Sequence, residues 1–123
     1  MSTTASVARF GDGTAIVGSP FTEVVPASVL GGALVVLSAE MPVGLRVPEH
    51  AHDEADQVCV VITGRVGASV DGVEHVAEAG GVLVVPRGCV HAHWNAGDVP
   101  AQVLEIYTPP GMEDEFRRRA LSG

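Results

Sequence analysis

Gly44-Leu-Arg-Val-Pro-Glu-His50-Ala-His52-Asp-Glu-Ala-Asp-Gln57 is the stretch that decides the fold, and it leads into the apolar run Gln57-Val-Cys-Val-Val-Ile-Thr63. Side chains alternate along an extended strand, so His50 and His52 should point to the same side. The apolar run predicts a buried strand. Its first residue, Gln57, carries a side chain that can act as a metal ligand.

A third imidazole comes from His91, which follows a turn at Pro86-Arg-Gly88. Three imidazoles and one amide oxygen can hold a transition metal and leave coordination positions open. Neutral imidazole suits Zn, Ni, Fe, Mn and Cu, so the ligand set does not choose among these metals. We expect one divalent transition metal, either Zn, Mn, Fe or Ni, and its ligands are predicted to be His50, His52, Gln57 and His91.

Two sequence motifs give the chain its resemblance to the cupin superfamily. The first, G-x5-H-x-H-x4-E-x6-G, fits from Gly44 to Gly64 except that Gln57 replaces the usual acid. The second, G-x5-P-x-G-x2-H-x3-N, is met at every position, and fifteen residues separate the motifs. The resemblance implies an all-β fold, the double-stranded β-helix or jelly-roll barrel, and a homodimer. The second motif consists of Gly80, Pro86, Gly88, His91 and Asn95.

Gln57 is the departure that bears on chemistry. An amide brings no charge to a metal, so a divalent ion keeps its full charge and is a stronger Lewis acid. The resemblance points the same way, because cupins with three His and one Gln include lyase- and isomerase-type members that act on unsaturated uronates or cyanohydrins. We therefore expect a metal-dependent lyase or isomerase for a small carbonyl, enol or carboxylate substrate. Three alternatives stay open: a metal-dependent dioxygenase, a non-catalytic binding or sensing barrel, and the loss of any ligand role at position 57.

Two further side chains are candidates for moving protons. His93 lies two residues past His91, so alternation turns it toward the barrel interior as a general base, a substrate hydrogen-bond donor or a fourth metal contact. Glu105 and Tyr107 face the cavity if Leu104 and its neighbour Ile106 face outward. Glu105 is then a proton shuttle. The alternatives are a histidine bonded to a neighbouring strand and a carboxylate on the surface.

The substrate pocket is predicted to include Arg46, Cys59 and Tyr107. Arg46 lies four residues before His50, an even spacing that would bring it to the cavity mouth to bind a carboxylate. Cys59 lies two residues past Gln57 and should also face inward, more as a buried apolar side chain than as a ligand.

Composition limits the classes of partner. The formal net charge is −8 and all seven basic residues are Arg, which argues against nucleic acid because phosphate contacts need a basic face. No apolar run approaches the roughly 20 residues of a membrane span. Met1 to Gly13 lacks the apolar segment of a secretory signal. With two free cysteines, these features predict a cytoplasmic protein that binds a small molecule.

The chain of 123 residues suits a single domain. We expect a flexible segment over 1–13, a barrel over 14–111 and a helical end over 112–123. The last part contains acids at 113–115 followed by Arg117 to Arg119, which predicts three i,i+4 pairs on a solvated helix, with an anion site as the less favoured interpretation. Strands are predicted over 14–17, 21–25, 30–37, 57–63, 65–70, 73–77, 82–85, 91–95 and 101–108, and the only helix over 112–121.

Overall fold

A computed structural model describes residues 5–122. It contains ten strands, a short 3₁₀ helix (Ala27–Leu30) and one α-helix, α1 (Met112–Ser122). Part of the expected flexible segment, residues 1–4, lies outside the described residues, as does residue 123. The strands are β1 (Thr14–Ala15), β2 (Phe21–Val25), β3 (Val35–Met41), β4 (Arg46–His50), β5 (Asp56–Thr63), β6 (Arg65–Val70), β7 (Val73–Glu78), β8 (Val82–Val85), β9 (His91–Asn95) and β10 (Ala101–Thr108).

The strands form two antiparallel sheets that enclose one interior. The six-stranded sheet has the order β1-β2-β3-β10-β5-β8, and the four-stranded sheet has the order β4-β9-β6-β7. Side chains of both sheets meet in one apolar cluster, for example Met41 and Val103 from the larger sheet and Val66 from the smaller. The expected all-β jelly-roll barrel with a C-terminal helix is confirmed.

Strand alternation places the polar residues of β5 and β10 inside the barrel. Gln57, Cys59 and Val61 are buried, whereas the residues between them are only partly covered. On β10, Tyr107 pairs in register with Gln57, and Glu105 pairs with Cys59. Two adjacent strands therefore present polar groups side by side in an otherwise apolar interior.

The Asp71-Gly72 hairpin forms as its sequence predicts. β6 and β7 pair from end to end, with Val70 opposite Val73. Asp71 has φ 48° and Gly72 has φ 81°, the two positive angles that a type I′ turn requires.

Three strands differ from the sequence prediction, and the shortest of them is β1, which ends at Ala15 instead of at residue 17. The segment predicted as a strand from residue 30 begins as a helix end, because Gly31, at φ 64°, caps the 3₁₀ helix and donates its N–H to carbonyls of the preceding turn. The strand then starts only at Val35. The apolar sequence of β8 predicts a buried strand, but Val82 and Val84 are exposed because β8 is the edge of its sheet and has a solvent face.

The second motif holds the loops around the interior in place. The N–H of Gly88 donates to the carbonyl of His52 at 2.8 Å, joining the turn of one motif to the loop of the other. Asn95 Nδ2 donates to the carbonyls of Met41 and Val99, and its Oδ1 accepts from the N–H of Gly97. The residues of the second motif thus set the geometry of these loops as well as the position of the histidine ligand.

Helix α1 packs against the barrel instead of projecting into solvent. The ring of Phe116 stacks on Phe21 with centroids 4.3 Å apart, and Arg117 forms a salt bridge with Glu23 at 3.2 Å. Of the three predicted i,i+4 pairs, the one between Glu115 and Arg119 is confirmed. Arg117 and Arg118 instead pair at i,i+3, with Asp114 and Glu115. Within residues 5–122, no helix has the length and apolar character needed to cross a membrane.

Gly64, the last residue of the first motif, provides a test of this packing. It has φ +86°, and a Cβ added to it would lie 2.8 Å from the Cα of Ala101. We expect Gly64→Ala to lower the free energy of unfolding by about 2–4 kcal/mol, through backbone strain and overpacking.

The matched control is Gly97→Ala, where the nearest atom would be 3.5 Å away and φ is not in the left-handed region. Its free energy of unfolding should change by no more than about 0.5 kcal/mol. Urea denaturation measures both variants, and equal losses in the two would contradict the steric argument.

Candidate metal centre

Three histidines converge because the two motifs meet at one edge of the smaller sheet. His50 ends β4 and pairs in register with His91, the first residue of β9. His52 lies in the loop that follows. The ring centroids are 4.2 Å apart for His50 and His91, 4.7 Å for His50 and His52, and 5.0 Å for His52 and His91. One nitrogen of each ring lies within 4.8 Å of the others, a spacing that could hold a metal ion.

Backbone carbonyls set which nitrogen of two rings is available. His50 Nδ1 lies 2.8 Å from the carbonyl of Pro48, and His91 Nδ1 lies 3.0 Å from the carbonyl of Cys89. A carbonyl only accepts, so each Nδ1 carries the proton and donates it. Each Nε2 is left with a lone pair for another partner, the arrangement typical of metal-binding histidines.

Two buried polar atoms in the described chain have no hydrogen-bond partner, Gln57 Oε1 and His91 Nε2. Buried polar groups in folded proteins almost always find a partner, so each exception calls for an explanation. Both atoms are electron-pair donors, and both residues line the same small cavity. The residues present therefore fit a metal ion.

Glu105 fixes the orientation of the Gln57 amide. Gln57 Nε2 donates to Glu105 Oε2 at 2.8 Å, and both side chains are buried. A carboxylate accepts hydrogen bonds, so the amide must turn its nitrogen toward Glu105 and its oxygen away. Burial raises the pKa of Glu105 to about 7, while hydrogen bonds from Gln57 and Cys59 act in the opposite direction.

Burial favours the neutral form of His52, His91 and His93, and neutral imidazole is the form that binds metal. Burial and, to a smaller extent, the charges of His50 and His91 lower the pKa of His52 to about 4. Burial is also the main cause that lowers the pKa of His93 to about 4. The pKa of His91 is lowered by burial as well.

A cavity of about 460 Å³ opens beside the triad. That volume lies in the range of small-molecule sites. Its polar wall includes His50 and His52, and three predicted residues, His93, Glu105 and Tyr107, also line it. Most of the remaining wall is apolar, formed by Phe21, Ala39, Met41, Leu45, Val47, Val103 and Phe116.

Cys59 lies behind this cavity rather than in its wall. It hydrogen-bonds to Glu105, and burial raises the pKa of its thiol. The thiol therefore stays protonated and serves as a donor to the carboxylate. In the described structure its role is to support Glu105.

Arg46 does not reach the cavity. Its guanidinium lies 4.6 Å from the ring centroid of Trp94, with which it also pairs in register. The even spacing to His50 fails because the register between β4 and β9 shifts between Val47 and His50, and such an irregularity reverses the alternation of side chains. Val47 faces the cavity in place of Arg46.

Sequence reasoning missed the contribution of α1 to the cavity. Phe116, Arg119 and Ala120 all line it. These residues are spaced at i, i+3 and i+4, so they share one helix face. That spacing was the available signal, but it could not show that this face meets the barrel.

Comparisons with known proteins agree with the fold and the motifs. A family model described as a cupin domain matches residues 37–107, more than half of the chain. Germin-like protein 2-4 of Oryza sativa subsp. japonica is 43% identical over 72 residues, which cover 53% of this chain and 31% of that protein. The chain spans about a third of the length of such germin-like relatives.

A bacterial relative matches over more of the chain. Tetracenomycin polyketide synthase protein TcmJ of Streptomyces glaucescens is 31% identical over 99 residues, covering 80% of this chain and 66% of that protein. Among solved structures, a predicted oxalate decarboxylase from Thermotoga maritima has a TM-score of 0.67 at 16% identity, covering 73% of this chain and 79% of that one. At that identity the structural likeness shows the fold alone.

The orientation of Gln57 can be tested through metal affinity. We expect Glu105→Gln to raise the Kd for Zn²⁺ about tenfold, because a neutral amide at 105 no longer forces the Gln57 oxygen toward the triad. Exchanging the two side chains, Gln57→Glu with Glu105→Gln, should restore the affinity. Calorimetric titration of the protein without an affinity tag measures both.

Glu40→Gln is the matched control, because Glu40 lines the same cavity but is not among the hydrogen-bond partners of Gln57. Its Zn²⁺ affinity should equal that of the unsubstituted protein. An unchanged affinity in Glu105→Gln would show that Glu105 does not orient the amide.

Proposed function

The chain belongs to the cupin-domain family, and from this we propose that it is a metal-dependent enzyme that acts on a small carbonyl, enol or carboxylate substrate by lyase- or isomerase-type chemistry. His50, His52, His91 and the amide oxygen of Gln57 would hold the ion. The observation that carries the proposal is the buried Gln57 oxygen without a partner, since Gln57 lines the same small cavity as His91 of the histidine triad.

The ligand set supports non-redox chemistry because it is uncharged. The one carboxylate at the centre, Glu105, is bonded to the nitrogen side of Gln57 and not to the ligand side. A divalent ion held there would act as a Lewis acid that polarises a carbonyl and stabilises developing negative charge. Oxygen chemistry gains more from anionic ligands, which stabilise a higher oxidation state of the metal.

The chain itself supplies groups that can move a proton. Glu105 lines the cavity, and its pKa of about 7 suits a general acid or base that works near neutral pH. His93 is neutral and lines the same cavity, so it can accept a hydrogen bond from substrate or from water. Burial raises the pKa of Tyr107, which therefore remains a hydroxyl donor.

The relatives fit this chemistry without specifying a substrate. TcmJ is named for a polyketide synthase, and polyketides are rich in carbonyl and enol groups. The apolar wall of the cavity suits the hydrocarbon part of such a compound. The proposal for this chain is limited to the chemical class of the substrate.

Proton exchange next to a carbonyl tests the proposed reaction type. The Zn²⁺-loaded protein is incubated in D₂O under argon with 4-acetylbenzoate or pyruvate, and ¹H NMR follows loss of the methyl signal. We expect exchange that is absent in His91→Ala and reduced about 100-fold or more in Glu105→Gln.

Other outcomes select the alternatives. Consumption of dioxygen by the Fe²⁺-loaded protein, with no exchange under argon, would identify a dioxygenase instead. Stoichiometric metal and tight binding of the probes, with neither reaction, would identify a binding barrel.

We also propose that the protein forms a homodimer through the outer face of its larger sheet. Neighbouring strands there present aliphatic side chains side by side: Val58 pairs with Val84 and with Ile106, and Val60 pairs with Val82. Val82 and Val84 are 53% and 60% exposed, which is unusual for adjacent valines on one strand. A second copy is the natural partner, because this group of aliphatic side chains is complementary to itself in a two-fold interface.

Light scattering after size exclusion tests the dimer. Val84→Lys should give a monomer, because two charges would be buried at a two-fold interface. Val76→Lys is the control, since Val76 is 54% exposed but lies on the other sheet, and it should remain dimeric. A monomeric starting protein would contradict the proposal.

A further inference from the structure

Helix α1 forms one wall of the cavity and is held there by specific contacts. Phe116 stacks on Phe21 and lies edge-on to Tyr107, with centroids 6.2 Å apart. Ala120 lies against Gly18, where an added Cβ would come within 3.0 Å of the Ala120 Cβ. These contacts fix the helix face from which Arg119 extends.

Arg119 is the one basic side chain among the described residues that line this cavity. It lines the cavity together with His52, a member of the triad, and Tyr107. Glu115 Oε1 lies 3.4 Å from its Nε and helps to hold the guanidinium in place.

The rest of the wall defines what can lie between Arg119 and the triad. Side chains such as Met41, Leu45 and Val103 leave little polar surface, so the cavity favours a ligand with an apolar body. A guanidinium favours a carboxylate at one end, because its planar fork can donate two parallel hydrogen bonds.

We propose that Arg119 forms a carboxylate subsite on α1, and that the ligand is an apolar, preferably aromatic, carboxylic acid with a carbonyl or enol oxygen at its other end. The carboxylate binds Arg119, the apolar body packs on Phe116 and the opposite wall, and the second oxygen faces the histidines. This inference rests on the proposed function and adds the chemical class of its substrate. It also assigns Arg119 the anion-binding role that the sequence spacing suggested for Arg46.

The test compares an acid with its neutral amide. Calorimetry measures binding of 4-acetylbenzoate and 4-acetylbenzamide, which share a ring and a ketone, to the Zn²⁺-loaded protein. We expect the acid to bind about tenfold more tightly than the amide, and Arg119→Gln to abolish the difference by weakening only the acid. Arg119→Lys should retain part of the preference because it keeps the charge.

Arg118→Gln is the matched control. Arg118 is the preceding residue on the same helix and also pairs with Glu115, but it is not part of this cavity wall. It should leave the preference for the acid intact, and both variants should bind Zn²⁺ as the unsubstituted protein does. Circular dichroism and thermal unfolding establish that α1 remains folded in each.

Three results would overturn the subsite: equal binding of acid and amide, a preference for the acid that survives Arg119→Gln, or loss of the preference in Arg118→Gln as well. If the proposed function is wrong, the result is different: the protein does not bind Zn²⁺ stoichiometrically. In that event the same acid–amide comparison on the metal-free protein decides the subsite, because the preference would still depend on Arg119.

Discussion

The hydrogen bond between Gln57 and Glu105 links the centre of the larger sheet to the histidine triad. It lies where β5 and β10 pair, so the register of two long strands determines its geometry. A polar pair inside an apolar barrel has few alternative partners, and each group is costly to leave unsatisfied. The same contact therefore favours one strand register and one orientation of the amide. The oxygen that remains without a partner then defines the ligand character of the site.

The separation of charge from the ligands follows from this arrangement. In the usual cupin motif an acid stands at position 57, and here the nearest buried acid stands on the neighbouring strand. The amide stands at the ligand position of the motif, and the carboxylate of Glu105 accepts a hydrogen bond from the amide nitrogen. The centre keeps a negative group nearby without placing it in the set of ligands. The carboxylate is displaced only to the adjacent strand, but the set of metal ligands that a substrate oxygen would meet then carries no negative charge.

The sequence predicts the parts of this structure that depend on spacing within a strand or a turn. The alternation of β5 and β10 places Gln57, Glu105 and Tyr107 inside, and the Asp71-Gly72 pair specifies its own hairpin. Prediction fails where a local irregularity changes parity, as between Val47 and His50, or where a glycine ends a helix in a segment predicted as a strand. It fails again for α1, because an amphipathic pattern predicts that a helix packs against the rest of the protein but not which surface it contacts. Arg46 and Arg119 illustrate both failures: one turns outward after a register shift, and the other reaches the cavity through a tertiary contact.

The cavity is built from two parts that differ in how strongly the barrel constrains their residues. The histidines and Gln57 belong to strands and loops whose glycines and Asn95 cannot change without disturbing the barrel. The far wall comes from a helix that contacts the barrel through side chains such as Met112, Phe116 and Arg117. Substitutions on the inner face of that helix would alter which ligand is accepted and leave the metal-binding framework untouched. Ligand specificity can therefore change through substitutions in a short segment after the last strand, while the residues of the metal-binding centre stay the same.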